Sequence, residues 1–234
     1  MGCSRTLTIV LLCTGFNIQV IADTYTYSFD NAKDFLAPAA QWPAWQHIVD
    51  QHRLVQQPNI QTCSGPNAHS RENEAICTRK QLALAHIIMR GESLPDHKKL
   101  QLVNRFVNKR RYRKDRRSNS MALALSEKGS RNSWSTLETF LKRGGDCEDY
   151  ASAKYFILRE LGFKSENLRI VVGWNRREHA YHARLAVRMQ DKILWLENDN
   201  SIMRFAPRSS FRYIYSLNEE NIWDHSRPKK PKSV

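Results

Sequence analysis

The hydrophobic pattern of the chain changes its period once, at Gly162, and this change restricts the folds that the chain can adopt. Before that glycine, apolar residues recur at helical spacing, which predicts helices near residues 44–55, 79–90, 95–107, 134–141 and 147–161. After it, short apolar runs between polar turns predict strands at 168–174, 182–187, 193–197 and 211–215. Helices that precede an antiparallel sheet indicate an α+β fold.

The composition fits one globular domain. The chain has 234 residues, 41% of them apolar, with 9 glycines and 8 prolines, which excludes disordered, collagen-like and coiled-coil chains. We expect this domain to span residues 44–225. A lead-in segment at 23–43 precedes it, and a disordered basic tail at 226–234 follows it.

Residues 1–22 have the features of a secretory signal peptide. Arg5 precedes a mostly apolar stretch, and Ala22 offers a small residue for cleavage before Asp23. A membrane anchor is the alternative, but polar residues interrupt the stretch, and a span needs about 20 apolar residues. The sequence therefore predicts an exported protein without a stable membrane anchor.

Three cysteines remain after this cleavage: Cys63, Cys77 and Cys147. In an oxidising compartment an odd number leaves one of them without a disulfide partner. Cys63 and Cys77 flank a polar loop, and a bond that closes a loop of about 15 residues stabilises the fold by about 3 kcal/mol. Cys147 would then be free, either as a buried inert thiol or as a nucleophile.

Cys147 lies at the predicted start of a long helix, after Gly144 and Gly145. Asp146 is a natural N-cap, and an acid three residues later, Asp149, is typical of a capping box. Unpaired N–H groups at a helix start lower a thiol pKa, whereas neighbouring carboxylates raise it. The acids Asp146, Glu148 and Asp149 either complement the helix dipole or bind calcium through oxygen ligands.

A cysteine nucleophile needs a base, and the base needs a group that orients it. His182 starts a predicted strand whose hairpin partner ends near Glu197 and Asp199. In an antiparallel pair these acids lie beside His182, and because they are two residues apart they share one face. An ordinary hairpin with surface polar residues is the alternative interpretation.

The stretch WSTLETFLKRGGDCEDYASAKYFILRELGF, followed by NLRIVVGW, HARLAV and ILWLEN, resembles the bacterial transglutaminase-like cysteine proteinases, the LapG-type periplasmic proteases. The resemblance runs from about Trp45 to Tyr215. It implies a papain/transglutaminase-like cysteine proteinase fold, with N-terminal helices followed by an antiparallel sheet. It also implies a periplasmic cysteine endopeptidase that requires Ca²⁺.

The same resemblance implies roles for individual residues and for partners. Cys147 would be the nucleophile and His182 the base, while Asp146, Glu148 and Asp149 would supply metal ligands. The family reads Leu-Asp-Asn where this chain reads Leu-Glu-Asn, so Glu197 and Asp199 are alternatives for the third member. The implied substrate is a large surface adhesin, which the protease would cleave near its N-terminus and so control biofilm. The implied regulator is an inner-membrane cyclic-di-GMP receptor.

Two other functions remain open at this point. A transglutaminase or amidase could use the same site, and a non-catalytic binding protein could keep the fold without the activity. The chain is also strongly basic, with a formal net charge of +14 and a dense run of Lys and Arg at residues 109–117. That run is a solvated face or an attraction for an acidic substrate. Because no nucleic-acid-binding fold accompanies it, we expect no nucleic acid partner.

Overall fold

The computed structural model describes residues 27–31, 34–65, 77–114, 134–204 and 211–226. The predicted signal peptide at 1–22 and residues 227–234 of the predicted tail lie outside these ranges. No helix in the described ranges is long and apolar enough to cross a membrane.

The described residues form six α-helices, all of them ahead of the main strands. A π-helical turn, His52–Gln56, joins the first two helices, so the predicted helix near 44–55 continues to Ser64. The helices are α1 (Pro43–Gln51), α2 (Gln57–Ser64), α3 (Arg79–Glu92), α4 (Asp96–Asn108), α5 (Leu137–Arg143) and α6 (Cys147–Glu160).

Seven strands in the described ranges pair antiparallel into one sheet, in the order β1-β7-β6-β2-β3-β4-β5. The predicted α+β class is therefore confirmed. The strands are β1 (Phe35–Pro38), β2 (Leu168–Asn175), β3 (Ala180–Met189), β4 (Lys192–Leu196), β5 (Ile202–Met203), β6 (Phe211–Leu217) and β7 (Asn221–Asp224).

The sheet is buried on both faces around β3. Leu185 and Val187 face the main core, which also contains Tyr155 and Leu158 of α6. Ala186 faces a second cluster that includes Trp195. Full burial of such large apolar side chains stabilises the fold by about 1.5–3 kcal/mol each. Helix α6 thus lies against one face of β3, and this contact fixes the position of its first turn.

Three short strands were not expected from the sequence. β1 lies within the predicted lead-in segment, where the pattern gave no clear period, and β5 and β7 contain two and four residues. Strands of this length are too short to show apolar alternation. Their pairing partners, β7, β4 and β6, hold them in the sheet.

The predicted disulfide is present. Cys63 at the end of α2 is bonded to Cys77, which directly precedes α3. Cys147 is the free cysteine within the described residues, as expected.

Candidate active site

The loop before α6 fixes the position of Cys147. Gly144 has a φ of 75°, which favours glycine. The Arg113 N–H donates to the Gly145 carbonyl at 2.8 Å, so the basic segment after α4 packs on this loop. Cys147 is the first residue of α6, after the N-cap Asp146. The capping box with Asp149 is confirmed, because Asp149 Oδ2 accepts the Asp146 N–H at 3.3 Å.

The thiol of Cys147 is buried and lies in an acidic environment. It donates to Glu148 Oε2 at 3.3 Å, and it also forms a backbone hydrogen bond with Ala183, the residue after His182. Burial, and then the negative charge of Glu148, raise the pKa of Cys147 well above its ordinary value. In this arrangement the thiol holds its proton until a base or a cation changes the local charge.

His182 and Glu197 are in direct contact. His182 Nε2 lies 2.9 Å from Glu197 Oε2. The other sequence candidate, Asp199, is exposed and accepts the Ser201 N–H at 2.9 Å. Of the two predicted acids, the structure therefore brings Glu197 to the imidazole.

The register of the β3–β4 hairpin explains this choice. Leu185 pairs with Leu196, so continuing the register by one residue places Glu197 opposite Arg184 and diagonal to His182. Diagonal neighbours in a sheet are about 7–8 Å apart, within reach of a long side chain. The chain turns away directly after β4, which carries Asp199 out of reach.

Glu197 remains ionised at this position. Burial raises its pKa, but the His182 hydrogen bond and the Arg184 charge outweigh burial and hold the pKa below its ordinary value. Arg184 Nη1 lies 3.0 Å from Glu197 Oε1. Sequence reasoning missed Arg184, although the same hairpin register would have placed it opposite Glu197.

The predicted metal ligands are adjacent but not equivalent. Asp146 and Glu148 are buried and share a side-chain hydrogen bond, and burial together with that bond raises the Glu148 pKa well above its usual range. Asp149 accepts the Ser135 N–H at 2.7 Å, so it acts as a structural cap. Within the described ranges, no group of three or more His, Cys, Asp and Glu side chains is arranged to hold a metal ion.

A second constellation has the connectivity of a hydrolase triad. Ser216 Oγ lies 2.8 Å from His225 Nε2, and His225 Nδ1 lies 2.9 Å from Asp34 Oδ2. Ser216 is completely buried, and the Tyr27 ring packs 5.1 Å from the His225 ring. A substrate cannot reach this serine, so the three residues join the N-terminal part of the domain to β6 and β7.

A basic groove lies beside the Cys147 loop. Gly144 forms part of its wall, and its volume is about 510 Å³. Among the lining side chains only Lys142 has a described ion pair, with Glu138. The remaining cations face an open concavity. The lining cations are Lys80, Lys109, Arg110, Arg111, Arg113, Lys142 and Arg143.

Comparison with known families decides between the functions that this geometry allows. Residues 61–229 match the family described as bacterial transglutaminase-like cysteine proteinase, BTLCP. The chain belongs to this family. As a bacterial transglutaminase-like cysteine proteinase it is a cysteine protease, the function that the residues around Cys147 and His182 predict ahead of a transferase or a non-catalytic binding protein.

Solved structures of Legionella pneumophila LapG are similar to this proteinase. One is 27% identical, with a TM-score of 0.54, and the match covers 62% of this chain and 78% of that chain. The calcium-bound form is 26% identical, with a TM-score of 0.55, over 67% and 84%. The EGTA-treated form is 26% identical, with a TM-score of 0.54, over 63% and 77%. No match was found among curated proteins.

Proposed function

We propose that the chain is a calcium-dependent periplasmic cysteine endopeptidase that cleaves the N-terminal region of a large surface adhesin. Cleavage would release the adhesin and so control biofilm. The observation that carries the proposal is the contact between His182 and Glu197, together with the hydrogen bond of Cys147, at the start of α6, to the backbone of Ala183, the residue after His182. This order of residues in a cysteine proteinase family supports a Cys-His-Glu triad.

The proposed reaction is acyl transfer to water. His182 Nε2 is held by Glu197, which leaves Nδ1 to take the thiol proton of Cys147. The thiolate attacks the peptide carbonyl, and a main-chain N–H at the start of α6 stabilises the oxyanion. His182 then protonates the leaving amine, and water hydrolyses the thioester.

Calcium fits the donors that the chain provides. Asp146 and Glu148 offer two buried carboxyl groups whose mutual contact is unfavourable when both are ionised. Asp149 keeps its cap, so a calcium ion held by Asp146 and Glu148 would need further oxygen ligands, which main-chain carbonyls and water commonly supply in proteins. The bound cation would supply positive charge that favours ionised Asp146, Glu148 and Cys147. The calcium-bound and EGTA-treated LapG structures support calcium as the cation.

An acidic substrate segment fits the basic groove. Six of its seven cations have no described ion pair, and Gly144 at its wall is three residues from the nucleophile. We therefore expect Lys109→Glu/Arg111→Glu to lower kcat/KM for an acidic substrate and to weaken its salt dependence. Arg90→Glu/Lys98→Glu makes the same change of charge at exposed sites outside the groove and should have a smaller effect. Equal effects would refute substrate attraction by the groove.

The proposal also includes an inner-membrane cyclic-di-GMP receptor that sequesters the protease. The family resemblance alone supports this partner. Pull-down of the protease on the receptor's periplasmic domain, with and without cyclic-di-GMP, tests it.

The decisive experiment uses the protein from Asp23 onward and the N-terminal region of the largest repeat adhesin encoded in the same genome. We expect one new N-terminus in the product, loss of cleavage in EGTA, and recovery with excess Ca²⁺ but not Mg²⁺. Cys147→Ala and His182→Ala should be inactive. Cleavage by Cys147→Ala would refute the mechanism, and full activity in EGTA would refute the calcium requirement.

A further inference from the structure

The segment that carries Glu197 is held from both faces of the sheet. On the face shared with His182, Arg184 Nη1 lies 3.0 Å from the Glu197 carboxylate. On the helical side, Lys154 Nζ and Asn108 Nδ2 both donate to the Glu197 main-chain carbonyl at 2.8 Å. Arg184 therefore contacts the carboxylate, whereas Lys154 and Asn108 hold the main chain of the same residue.

Lys154 lies two helical turns after Cys147 on α6, a rise of about 10 Å. It is completely buried, and it also donates to Asn198 Oδ1 at 3.3 Å. A buried ammonium is costly unless its hydrogen bonds are satisfied. The helix that carries the nucleophile thus also holds the turn that carries the acid.

Arg184 is equally constrained. Its side chain is 5% exposed, and its guanidinium lies 4.2 Å from the Phe211 ring centroid and 5.9 Å from that of Trp195. A guanidinium between aromatic rings presents its charge in one fixed direction. Glu197 is opposite Arg184 in the hairpin, so the pair fixes the rotamer from which Oε2 reaches the diagonal His182.

We propose that Arg184 and Lys154 are positioning residues for Glu197: Arg184 orients its carboxylate toward His182, and Lys154 sets its backbone relative to the nucleophile helix. This inference rests on the proposed triad. It explains how a glutamate serves where the family pattern has an aspartate. The longer side chain spans the diagonal distance, and its second carboxylate oxygen forms the ion pair with Arg184.

A double-mutant cycle tests the proposal. Arg184→Met and Lys154→Met are compared alone and combined with Glu197→Gln, and Arg188→Met is the control. Arg188 lies on the same strand and forms its ion pair with Asp30 at the surface. The readouts are kcat/KM for peptide cleavage and the rate of Cys147 alkylation against pH, which needs no substrate.

We expect each positioning variant to lose about 10²-fold in both readouts, as for a misplacement of about 1 Å. Combined with Glu197→Gln, neither should lower the rate further, because each acts through that acid. In Arg184→Met the acid limb of the alkylation profile should move to higher pH, since Glu197 loses the cation that lowers its pKa. Arg188→Met should match the wild type.

If the double variants with Glu197→Gln react more slowly than Glu197→Gln alone, by the product of the two single losses of rate, the inference is wrong. An unchanged rate in Arg184→Met would also overturn it. If Arg184→Met does not fold, Arg184→Lys keeps the charge without the fixed guanidinium, and we expect it to react faster than Glu197→Gln but more slowly than the wild type, with an unshifted pH profile. An Arg184→Lys protein that folds but reacts like Glu197→Gln with no pH shift would also overturn it. If the wild type cleaves no peptide, the proposed function fails, and alkylation alone still decides the positioning roles.

Discussion

Gly144→Ala should damage the site through a steric clash with the basic segment. Gly144 has φ 75° and ψ −165°, a region that is almost restricted to glycine and costs other residues about 1–3 kcal/mol. An added Cβ would lie 1.9 Å from the Arg111 carbonyl oxygen, whereas real Cβ contacts stay beyond 3.0 Å. The two backbones would have to separate, and such overpacking costs typically about 1–3 kcal/mol. Together we expect a loss of about 2–6 kcal/mol in the free energy of unfolding.

Gly162→Ala is the matched control. Gly162 has φ 88°, but its added Cβ would have no neighbour within 4 Å, so this variant carries the conformational cost alone. Urea denaturation followed by tryptophan fluorescence measures both variants, and Cys147 alkylation measures the site. The Arg113 N–H is hydrogen-bonded to the Gly145 carbonyl, so moving the Arg111 backbone away from residue 144 should also displace the loop that carries Cys147. We therefore expect slower alkylation in Gly144→Ala but not in Gly162→Ala. Equal destabilisation in the two variants, or normal alkylation in Gly144→Ala, would refute the reasoning.

Three further predictions concern groups away from the thiol. Replacing both Cys63 and Cys77 by Ala should lower the free energy of unfolding by about 3 kcal/mol, measured by urea denaturation, while kcat/KM in dilute buffer is unchanged. Ser216→Ala should cost about 1–3 kcal/mol of stability and leave kcat/KM unchanged; a large loss of activity would give that buried serine a role in catalysis. Burial lowers the pKa of Lys154 from 10.5 to about 7. The unfolded chain therefore binds more protons between pH 7 and 10.5, so the free energy of unfolding should rise with pH across this window in the wild type. In Lys154→Met this rise should be smaller, and equal pH slopes in urea denaturation would contradict the prediction.

The sequence predicts those parts of the fold in which an apolar pattern repeats over many residues. Helix α6 and the hairpin of β3 and β4 repeat their apolar pattern over enough residues to be recognised. The turn between these strands was also expected, and it fixes the register. The strands β1, β5 and β7 depend on partners distant in sequence, so no local pattern indicates them.

The candidate site likewise contains residues that the sequence indicates and residues that it does not. Cys147 and His182 stand at positions that the family motif and the elements together indicate. Lys154 carries no such signal, and for Arg184 the hairpin register gives a position opposite Glu197 but no indication of burial, because a charged residue within an apolar helix face or strand is expected at the surface. Their burial becomes intelligible only when the Glu197 segment is seen between them.

The pairing of β1 with β7 has a consequence for the order of assembly. Pro38 pairs with Asn221, so this edge of the sheet cannot form until more than 180 further residues have been synthesised. During translation the helices can form early, whereas β1 waits for the strand that completes its hydrogen bonds. Until β7 has been synthesised, the chain is therefore still open along this edge.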